Sequence, residues 1–392
     1  MYKLFTFFQS IISVLLTEKY WNLKIASVCV LYCILTSMPN YPNLFESSLK
    51  KSPYFALIIE NYKAVNTQID HPFKINKVDP ASHSSKISFR FVPALLTKIL
   101  PTTNLYSRIL WLYLMNNLAG FVFFLSLINI VFSYSRNKLY SSLVAFNFSV
   151  LYIGKSFFHD TYLWNDGIAF TFLLLSLLSK NRLIVLTCLL AAYFTDERAI
   201  FGGVLALVFA RLSDNNPEKP SVFLTDTDLP YIFSFIAYAV IRLSLMYFFN
   251  LQTPIGLDNG VSLFMRINEH PFWLNLLGLF TIYKMAWVLI ISNIWWLRKQ
   301  TILLVYYILG VFSLIIISLS VEDITRSFAY SFMALVSGFY LYYNKFSLLK
   351  IKKPEYGVFL FLFTNILIPT ISMIGGITKI LPPIEKLFTR YL

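Results

Sequence analysis

The sequence has few charged residues for its length. Only 13% of the 392 residues are charged, while 57% are hydrophobic and the mean hydropathy is +0.64. Soluble domains are about one-quarter charged, so this scarcity excludes an ordinary soluble protein. We therefore expect a multi-pass membrane protein, in which membrane spans rather than several soluble domains account for the length.

Cysteines and familiar catalytic motifs are also scarce. The three cysteines, Cys29, Cys33 and Cys188, all lie in apolar runs, and the sequence has no CxxC pair. It has no Walker A loop, HExxH or GxSxG motif either. Zinc, nucleotide and serine-hydrolase chemistry are therefore unsupported. No paired acidic motif follows the first predicted span, which disfavours a divalent metal, and we expect no other cofactor.

Acidic residues are in the minority, which gives a net charge of +14. The basic residues stand at the ends of apolar runs, which is typical of membrane topology rather than of nucleic-acid binding. One set of short loops holds most of them and is predicted to be cytoplasmic, which places the N-terminus inside and the C-terminus outside. The Phe-, Tyr-, Lys- and Asn-rich composition favours a bacterial protein of the inner (plasma) membrane.

Apolar runs of about 20 residues predict spanning helices. The fold class is therefore all-α, with about nine full-length helices in a single integral membrane domain covering residues 1–392. The predicted spans are 22–38, 109–133, 139–154, 163–179, 228–250, 273–297, 301–320, 327–343 and 356–376.

The segments outside these spans differ in character. Residues 1–20 are predicted to form an interfacial helix. The outer loop 39–107 contains two amphipathic stretches, 53–64 and 87–100, that are predicted to be helices parallel to the membrane. The helical bundle is assigned to 108–376, and a tail, 377–392, follows it.

The stretch "TDER" (195–198) interrupts a long apolar run. The runs on either side of it, 183–194 and 199–211, reach only about 18 Å each, short of a hydrocarbon core of about 30 Å. They predict a short helical hairpin whose tip is recessed below the outer surface.

The tip of this hairpin carries candidate functional residues. Asp196 and Glu197 are candidate catalytic groups and Arg198 is a candidate substrate-binding group, because ionisable groups inside membrane proteins are functional by default. The alternative is structural, with Thr195 capping the second helix and Arg198 pairing with Asp196.

A second polar stretch, "HDTYLWND" (159–166), falls on the same predicted outer side. His159 and Asp160 are placed to flank a substrate hydroxyl. Asp166 is predicted to lie about one turn into a spanning helix, where charge is costly. His159 and Asp166 are therefore candidate catalytic residues.

A third stretch, "VEDITR" (321–326), places Asp323 and Arg326 between two spans. Arg326 beside free backbone N–H groups suits an anionic ligand such as a phosphate, so both residues are candidates for substrate binding. The alternative is a capped hairpin held by an Asp–Arg pair.

The stretch "SHSSKISFRF" (82–91) carries His83, Lys86 and Arg90 at a spacing that shares one helical face. His83 and Arg90 are candidate substrate-binding residues. The alternative is an interfacial helix that binds lipid headgroups.

Two cations, Arg242 and Lys284, lie near mid-membrane by residue count. Such groups need an anion or a water-filled cavity. A lipid phosphate would meet that need, so both are predicted to bind substrate. Pairing with Asp166 or Asp196 is the structural alternative.

The architecture and two short stretches resemble the GT-C class of multi-pass glycosyltransferases and related envelope polysaccharide polymerases. "TDERA" (195–199) is similar to a "tKE"-type turn of such proteins, and "FRFVPALL" (89–96) is similar to their "yrPl.P.l" segment. The resemblance implies a polyprenyl-phosphate-linked sugar as substrate, used on the non-cytoplasmic side of the membrane. It also implies an acidic base in the first outer loop, where "PNYPNLFESS" (39–48) offers Glu46.

Two other classes of function remain open. A transporter or flippase for an envelope lipid or anionic solute needs polar groups near the midplane on broken helices, and Arg242, Lys284 and a break at Gly202–Gly203 would partly supply these. A non-catalytic envelope assembly protein is the third possibility. The gathering of polar residues on one predicted face favours the enzyme.

Overall fold

The computed structural model describes residues 1–37, 53–73, 88–101, 103–160, 163–214, 225–251, 270–321, 323–348, 353–374 and 376–381. Its first helices are α1 (Tyr2–Leu16), α2 (Trp21–Ser37), α3 (Pro53–Asp70), α4 (Phe91–Lys98), α5 (Leu105–Ser135), α6 (Lys138–Val150), α7 (Tyr152–His159), α8 (Asp166–Leu175) and α9 (Arg182–Tyr193). There follow α10 (Ala199–Ser213), α11 (Leu229–Phe249), α12 (Phe272–Tyr283), α13 (Trp287–Leu297), α14 (Thr301–Ser320), α15 (Ile324–Ala329), α16 (Phe332–Leu348) and α17 (Pro354–Leu367). Two antiparallel strands, β1 (Thr370–Ile374) and β2 (Gly376–Leu381), complete the described chain.

Four helical stretches of the described residues are long and apolar enough to cross a bilayer: Leu105–Ser135, Leu229–Phe249, Phe272–Leu297 and Thr301–Ser320. Among these, α11 leaves most of its apolar side chains on the protein surface. Apolar side chains exposed in such number are stable in lipid rather than in water. The chain is thus a predominantly α-helical membrane protein, as the composition predicts.

Aromatic side chains fill the core where α5, α7, α8 and α16 meet. Phe123 lies 5.1 Å from Phe157 and 5.6 Å from Phe332 between ring centroids, and Phe170 lies 5.4 Å from Phe332. Tilted and edge-to-face contacts of this kind stabilise beyond the area that they bury. This packing holds α8 firmly, and the first residue of α8 is Asp166.

Several predicted spans are interrupted. The run 139–154 forms two helices, α6 and α7, separated at Leu151. Gly154 in the first turn of α7 lies so close to the carbonyl group of Phe148 that an added Cβ atom would collide with it. The run 163–179 contains only the ten-residue α8, and Asp166 begins that helix rather than lying one turn inside it.

Two further breaks differ from the sequence prediction. The run 273–297 is interrupted at Lys284, whose φ of 50° and ψ of −126° end α12 before a 3₁₀ turn leads into α13. The run 356–376 is helical only to Leu367, and the strand pair 370–381 follows. That segment is apolar and rich in β-branched residues, a pattern that suits a strand as well as a helix.

The short hairpin is confirmed as two helices, α9 and α10, joined by residues 194–198. Its second helix runs through Gly202 and Gly203 without the break that a transporter would need. Both glycines allow close packing instead, because an added Cβ atom would meet Leu173 at the first and Tyr193 at the second.

The two amphipathic stretches between residues 39 and 107 are helical as well, in α3 and α4. The predicted common face of His83, Lys86 and Arg90 is not formed by one helix, because α4 begins only at Phe91 and Arg90 precedes it. His83 and Lys86 lie outside the described residues.

Candidate functional site

Charged side chains from four separate segments meet at the tip of the short hairpin. This ionic cluster consists of Arg90, Asp166, Asp196, Glu197, Arg198, Asp323 and Arg326. Its members come from the residue before α4, the first turn of α8, the hairpin tip and the start of α15. The sequence offers all seven as candidate functional residues, on three distant polar stretches and one amphipathic stretch. The fold makes them neighbours in space.

Arg198 binds Asp196 through two hydrogen bonds, from Nε to Oδ1 at 2.8 Å and from Nη2 to Oδ2 at 2.7 Å. The same Nη2 donates to Asp166 Oδ1 at 3.0 Å, and Nη1 donates to the Ser327 hydroxyl at 2.9 Å. The planar guanidinium thus joins three segments of the chain. A lysine, which is a point charge, lacks this fork of donors.

Arg326 provides the second junction. Its Nε donates to Asp166 Oδ2 at 2.5 Å and its Nη1 to Asp323 Oδ2 at 2.6 Å, while its guanidinium lies 3.6 Å from the ring centroid of Trp164. The Tyr330 hydroxyl donates to Asp166 Oδ1 at 2.9 Å. Asp166 therefore receives donors from three side chains and stands at the centre of the cluster.

Arg90, the residue before α4, closes the cluster on another side. Its Nη2 lies 3.0 Å from Asp196 Oδ2 and 3.3 Å from Glu197 Oε1. The backbone N–H of Val92 donates to the carbonyl group of Phe194 at 3.3 Å, which fixes this segment against the hairpin. Glu197 is 30% exposed and Asp196 fully buried, so the cluster opens at Glu197.

The arginines keep the tip carboxylates charged. Burial alone would raise the pKa of Asp196, but Arg198 and Arg90 outweigh that effect, so its pKa lies below the usual range. The pKa of Glu197 is lowered in the same way, with Arg90 outweighing burial. Burial does raise the pKa of Asp323, although Arg326 opposes the shift.

In the structure, Arg198 stands at the N-cap position of α10, and no side chain of the described residues forms a capping hydrogen bond there. The Thr195 hydroxyl donates back to the Ala191 carbonyl group at 2.7 Å, so the predicted capping by Thr195 is wrong. Asp196 Oδ1 accepts the backbone N–H of Arg198 at 2.9 Å. The predicted Asp196–Arg198 and Asp323–Arg326 pairs are confirmed. Pairing and a functional role are therefore compatible at this site.

Asp160 lies beside the cluster in the turn between α7 and α8. Its Oδ1 accepts the backbone N–H of Trp164 at 3.1 Å and its Oδ2 that of Asn165 at 2.7 Å. Burial, assisted by the charge of Asp166, raises its pKa to about 6. His159, the last residue of α7, is 9% exposed.

The two cations that the sequence predicts near mid-membrane occupy different surroundings. Lys284 is 2% exposed, and its Nζ donates to the carbonyl groups of Val150 and Asn365 at 2.9 Å each. Its ammonium group binds these carbonyl groups rather than Asp166 or Asp196, so the alternative of pairing with those carboxylates is wrong. Lys284 satisfies carbonyl groups where α6 and α17 end, as a structural residue would.

Arg242 lies on α11, at the side of the cluster. Its guanidinium donates to the Tyr238 hydroxyl and stacks over Phe89 at 4.5 Å, and among the described residues it forms no ion pair with Asp166 or Asp196. Phe89 immediately precedes Arg90. Glu46 lies outside the described residues.

An apolar groove of about 560 Å³ runs next to this arrangement. Its walls come from α4, α9, α11 and the end of α3, and its lining residues include Phe73, Phe91, Leu95, Leu190, Phe194 and Leu245. Phe91 follows Arg90 in sequence and Phe194 lies two residues before Asp196, so the groove begins beside the charged tip. Within the described ranges, no three His, Cys, Asp or Glu side chains converge as a metal site requires.

The fold and this arrangement define a class: an α-helical membrane protein with a buried ionic site at a hairpin tip and an apolar groove beside it. Comparisons with protein-family models, with curated proteins and with solved structures find no match to the chain. The geometry of the site therefore carries the functional argument.

Proposed function

We propose that the chain is a membrane glycosyltransferase-like protein that uses a polyprenyl-phosphate-linked sugar at the outer face of a bacterial plasma membrane, in the assembly of an envelope polysaccharide or glycoconjugate. The observation that carries this proposal is the ionic cluster itself. Three arginines and four carboxylates from distant segments are gathered inside an apolar protein, although their desolvation is costly.

The chemistry of the cluster suits both parts of such a substrate. Carboxylates such as Glu197, which is the most exposed of the paired acids at the tip, accept hydrogen bonds from sugar hydroxyls. Guanidinium groups such as those of Arg90 and Arg242 recognise phosphate. The apolar groove that begins beside them provides a place for the hydrocarbon chain of the carrier.

The orientation is part of the same proposal. It puts the N-terminus in the cytoplasm and the hairpin tip on the outer side, because the basic loops are concentrated on the opposite side. Cysteine labelling at residues 136 and 299 from inside only, and at 70 and 160 from outside only, would agree with it. Labelling of residues 70 and 160 from opposite sides would contradict it.

Deletion of the gene tests the function directly. We expect loss of a surface glycan together with accumulation of the lipid-linked sugar on the outer leaflet. Reintroduced Glu197→Gln should restore output only partly, and Asp226→Asn should restore it fully, because Asp226 is 85% exposed in a surface pair with Arg182. Unchanged glycan in the deletion strain would contradict the proposal.

A transporter is the second candidate, favoured by the helix break at Lys284 with its buried cation. It predicts a different result in the same strain. The lipid-linked precursor would accumulate on the inner leaflet, where membrane-impermeant reagents do not reach it. An assembly protein without activity predicts that Glu197→Gln restores normal output.

A further inference from the structure

Asp160 differs from the carboxylates of the ionic cluster in how it is held. The four carboxylates of the cluster each contact at least one arginine. Both oxygens of Asp160 accept backbone N–H groups instead, and no side chain in the described part of the chain is found to donate a hydrogen bond to it. Its carboxylate therefore remains available without the breaking of an ion pair.

The turn that orients Asp160 is held in an uncommon conformation. Leu163 and Asn165 both have positive φ, at 60° and 62°. Residues other than glycine are seldom found there, and when they are, the surrounding structure must hold them in place. Here the side chain of Asn165 donates to the Leu163 carbonyl group at 2.6 Å, and its backbone N–H donates to Asp160.

The charges facing Asp160 come from three packed elements. The charge of Asp166 at the start of α8 raises the pKa of Asp160, and the charge of Arg326 in α15 lowers it. Tyr152 of α7 is also within electrostatic range. Since burial has the largest effect, the pKa settles near 6, and a carboxylate of this kind is mostly ionised at neutral pH yet binds a proton readily. Asp196 and Glu197, whose pKa values are lowered, are weaker proton acceptors.

We propose that Asp160 is the proton acceptor for the incoming hydroxyl group in the glycosyl transfer, an inference that rests on the proposed function. The acceptor oxygen forms a bond to the anomeric carbon of the lipid-linked sugar. The bond between that carbon and the phosphate oxygen breaks, and its electron pair stays on the phosphate. The hydroxyl proton moves to the Asp160 carboxylate, which later releases it to solvent.

The test uses the full-length protein in lipid nanodiscs. The probe is the lipid extract of the deletion strain, which contains the accumulated lipid-linked sugar together with its natural acceptors. Turnover by the wild-type protein should fall about tenfold between pH 7 and pH 5, because that range spans ionisation of a group with a pKa near 6. Asp160→Asn should lower turnover by about 10²- to 10⁴-fold and remove the pH dependence.

Two comparison variants keep the test informative. Asp160→Glu should recover part of the turnover with a displaced pH midpoint. Asp323→Asn, which alters a cluster carboxylate paired with Arg326, should raise the KM and leave the midpoint in place.

Three results would overturn the proposal. If correctly folded Asp160→Asn turned over substrate at the wild-type rate, Asp160 would have only a structural role in the turn. A flat wild-type profile between pH 5 and pH 7 would exclude it even if that variant failed to fold. Absence of turnover by the wild type, with normal surface glycan in the deletion strain, would instead reject the proposed function and this inference with it.

Discussion

The ionic cluster and the surroundings of Lys284 bury cations in different ways. In the ionic cluster, Arg198 and Arg326 share the carboxylate of Asp166, which comes from a distant segment, and one side of the cluster is open at Glu197. Around Lys284, a single ammonium group donates to two carbonyl groups at helix breaks. Both regions lie within an apolar protein. The Lys284 ammonium group satisfies backbone carbonyl groups, whereas the arginines of the cluster bind side-chain carboxylates.

The comparison shows that charge inside a membrane protein is not sufficient to identify a functional site. Lys284 fills the hydrogen-bonding capacity of carbonyl groups left without helical partners, which is a requirement of any helix that ends in an apolar environment. The cluster satisfies no comparable requirement, since its arginines mainly bind side chains. Its energetic cost therefore calls for a functional explanation more strongly than that of Lys284.

The largest expected effect comes from removing the central charge of the cluster. Asp166→Asn leaves Arg198 and Arg326 without a shared counter-charge, and loss of one partner from a buried network costs about 3–5 kcal/mol. The free energy of unfolding in detergent, followed by tryptophan fluorescence, measures this cost. The matched variant Asp226→Asn, in an exposed pair, should change it by less than about 1 kcal/mol. Equal effects of the two variants would mean that the cluster is energetically no different from a surface ion pair.

A second pair of variants tests the division of roles between the regions. Lys284→Met removes two buried hydrogen bonds and should cost about 1–3 kcal/mol, yet leave glycan output per folded molecule unchanged. Arg198→Lys keeps the charge but loses the two-pronged bond to Asp196, and should lower output at least about tenfold. The comparison fails if Lys284→Met lowers output as much as Arg198→Lys does.

Some features of the fold in these two regions can be predicted from the local sequence, and others cannot. The legs of the hairpin and its charged tip were predictable because apolar runs and the "TDER" interruption are local signals. The breaks at Leu151 and Lys284 were not, because the apolar pattern continues through both and the decisive contacts are tertiary. The strand pair 370–381 was missed for a related reason, since a short apolar β-branched run fits either structure.

The site shows the same limit. All seven residues of the cluster are recognisable as candidates in the sequence, because each is a charge among apolar neighbours. The sequence does not show that Asp166 binds two arginines separated from it by 32 and 160 residues. The sequence places His159 and Asp160 side by side, but the backbone N–H groups that orient Asp160 depend on the positive φ angles of Leu163 and Asn165, which the stretch "YLWND" does not predict.

The two kinds of carboxylate at the site should also respond to pH with opposite signs. Asp160 has a folded-state pKa near 6, above its unfolded value, so the stability that it contributes is full below about pH 4 and is lost as the pH rises through 6. Its size is on the order of 1–3 kcal/mol. Asp196 has a lowered pKa, so its contribution is present above about pH 4 and is lost at lower pH.

Unfolding between pH 4 and pH 7 measures this difference. The stability of the wild-type protein relative to Asp160→Asn should decline across that range, whereas its stability relative to Asp196→Asn should not. A rise in the first difference with pH would show that Asp160 is stabilised as a carboxylate, like the other acids of the site, and would remove the distinction on which its proposed role depends.

The smallest expected effect on stability belongs to replacement of Arg242. Its surroundings are intermediate in character between those of the cluster arginines and those of Lys284. It is half-buried, contacts the Tyr238 hydroxyl and stacks over Phe89, so Arg242→Leu should change the free energy of unfolding by about 1 kcal/mol or less. If Arg242 contacts the carrier phosphate, the same variant should weaken binding of polyprenyl phosphate several-fold, and Arg242→Lys should weaken it less, because the charge remains. Intrinsic fluorescence titration in nanodiscs measures this affinity. Unchanged binding by Arg242→Leu would place Arg242 with Lys284 as a residue that supports helix packing, and would confine phosphate recognition to the cluster.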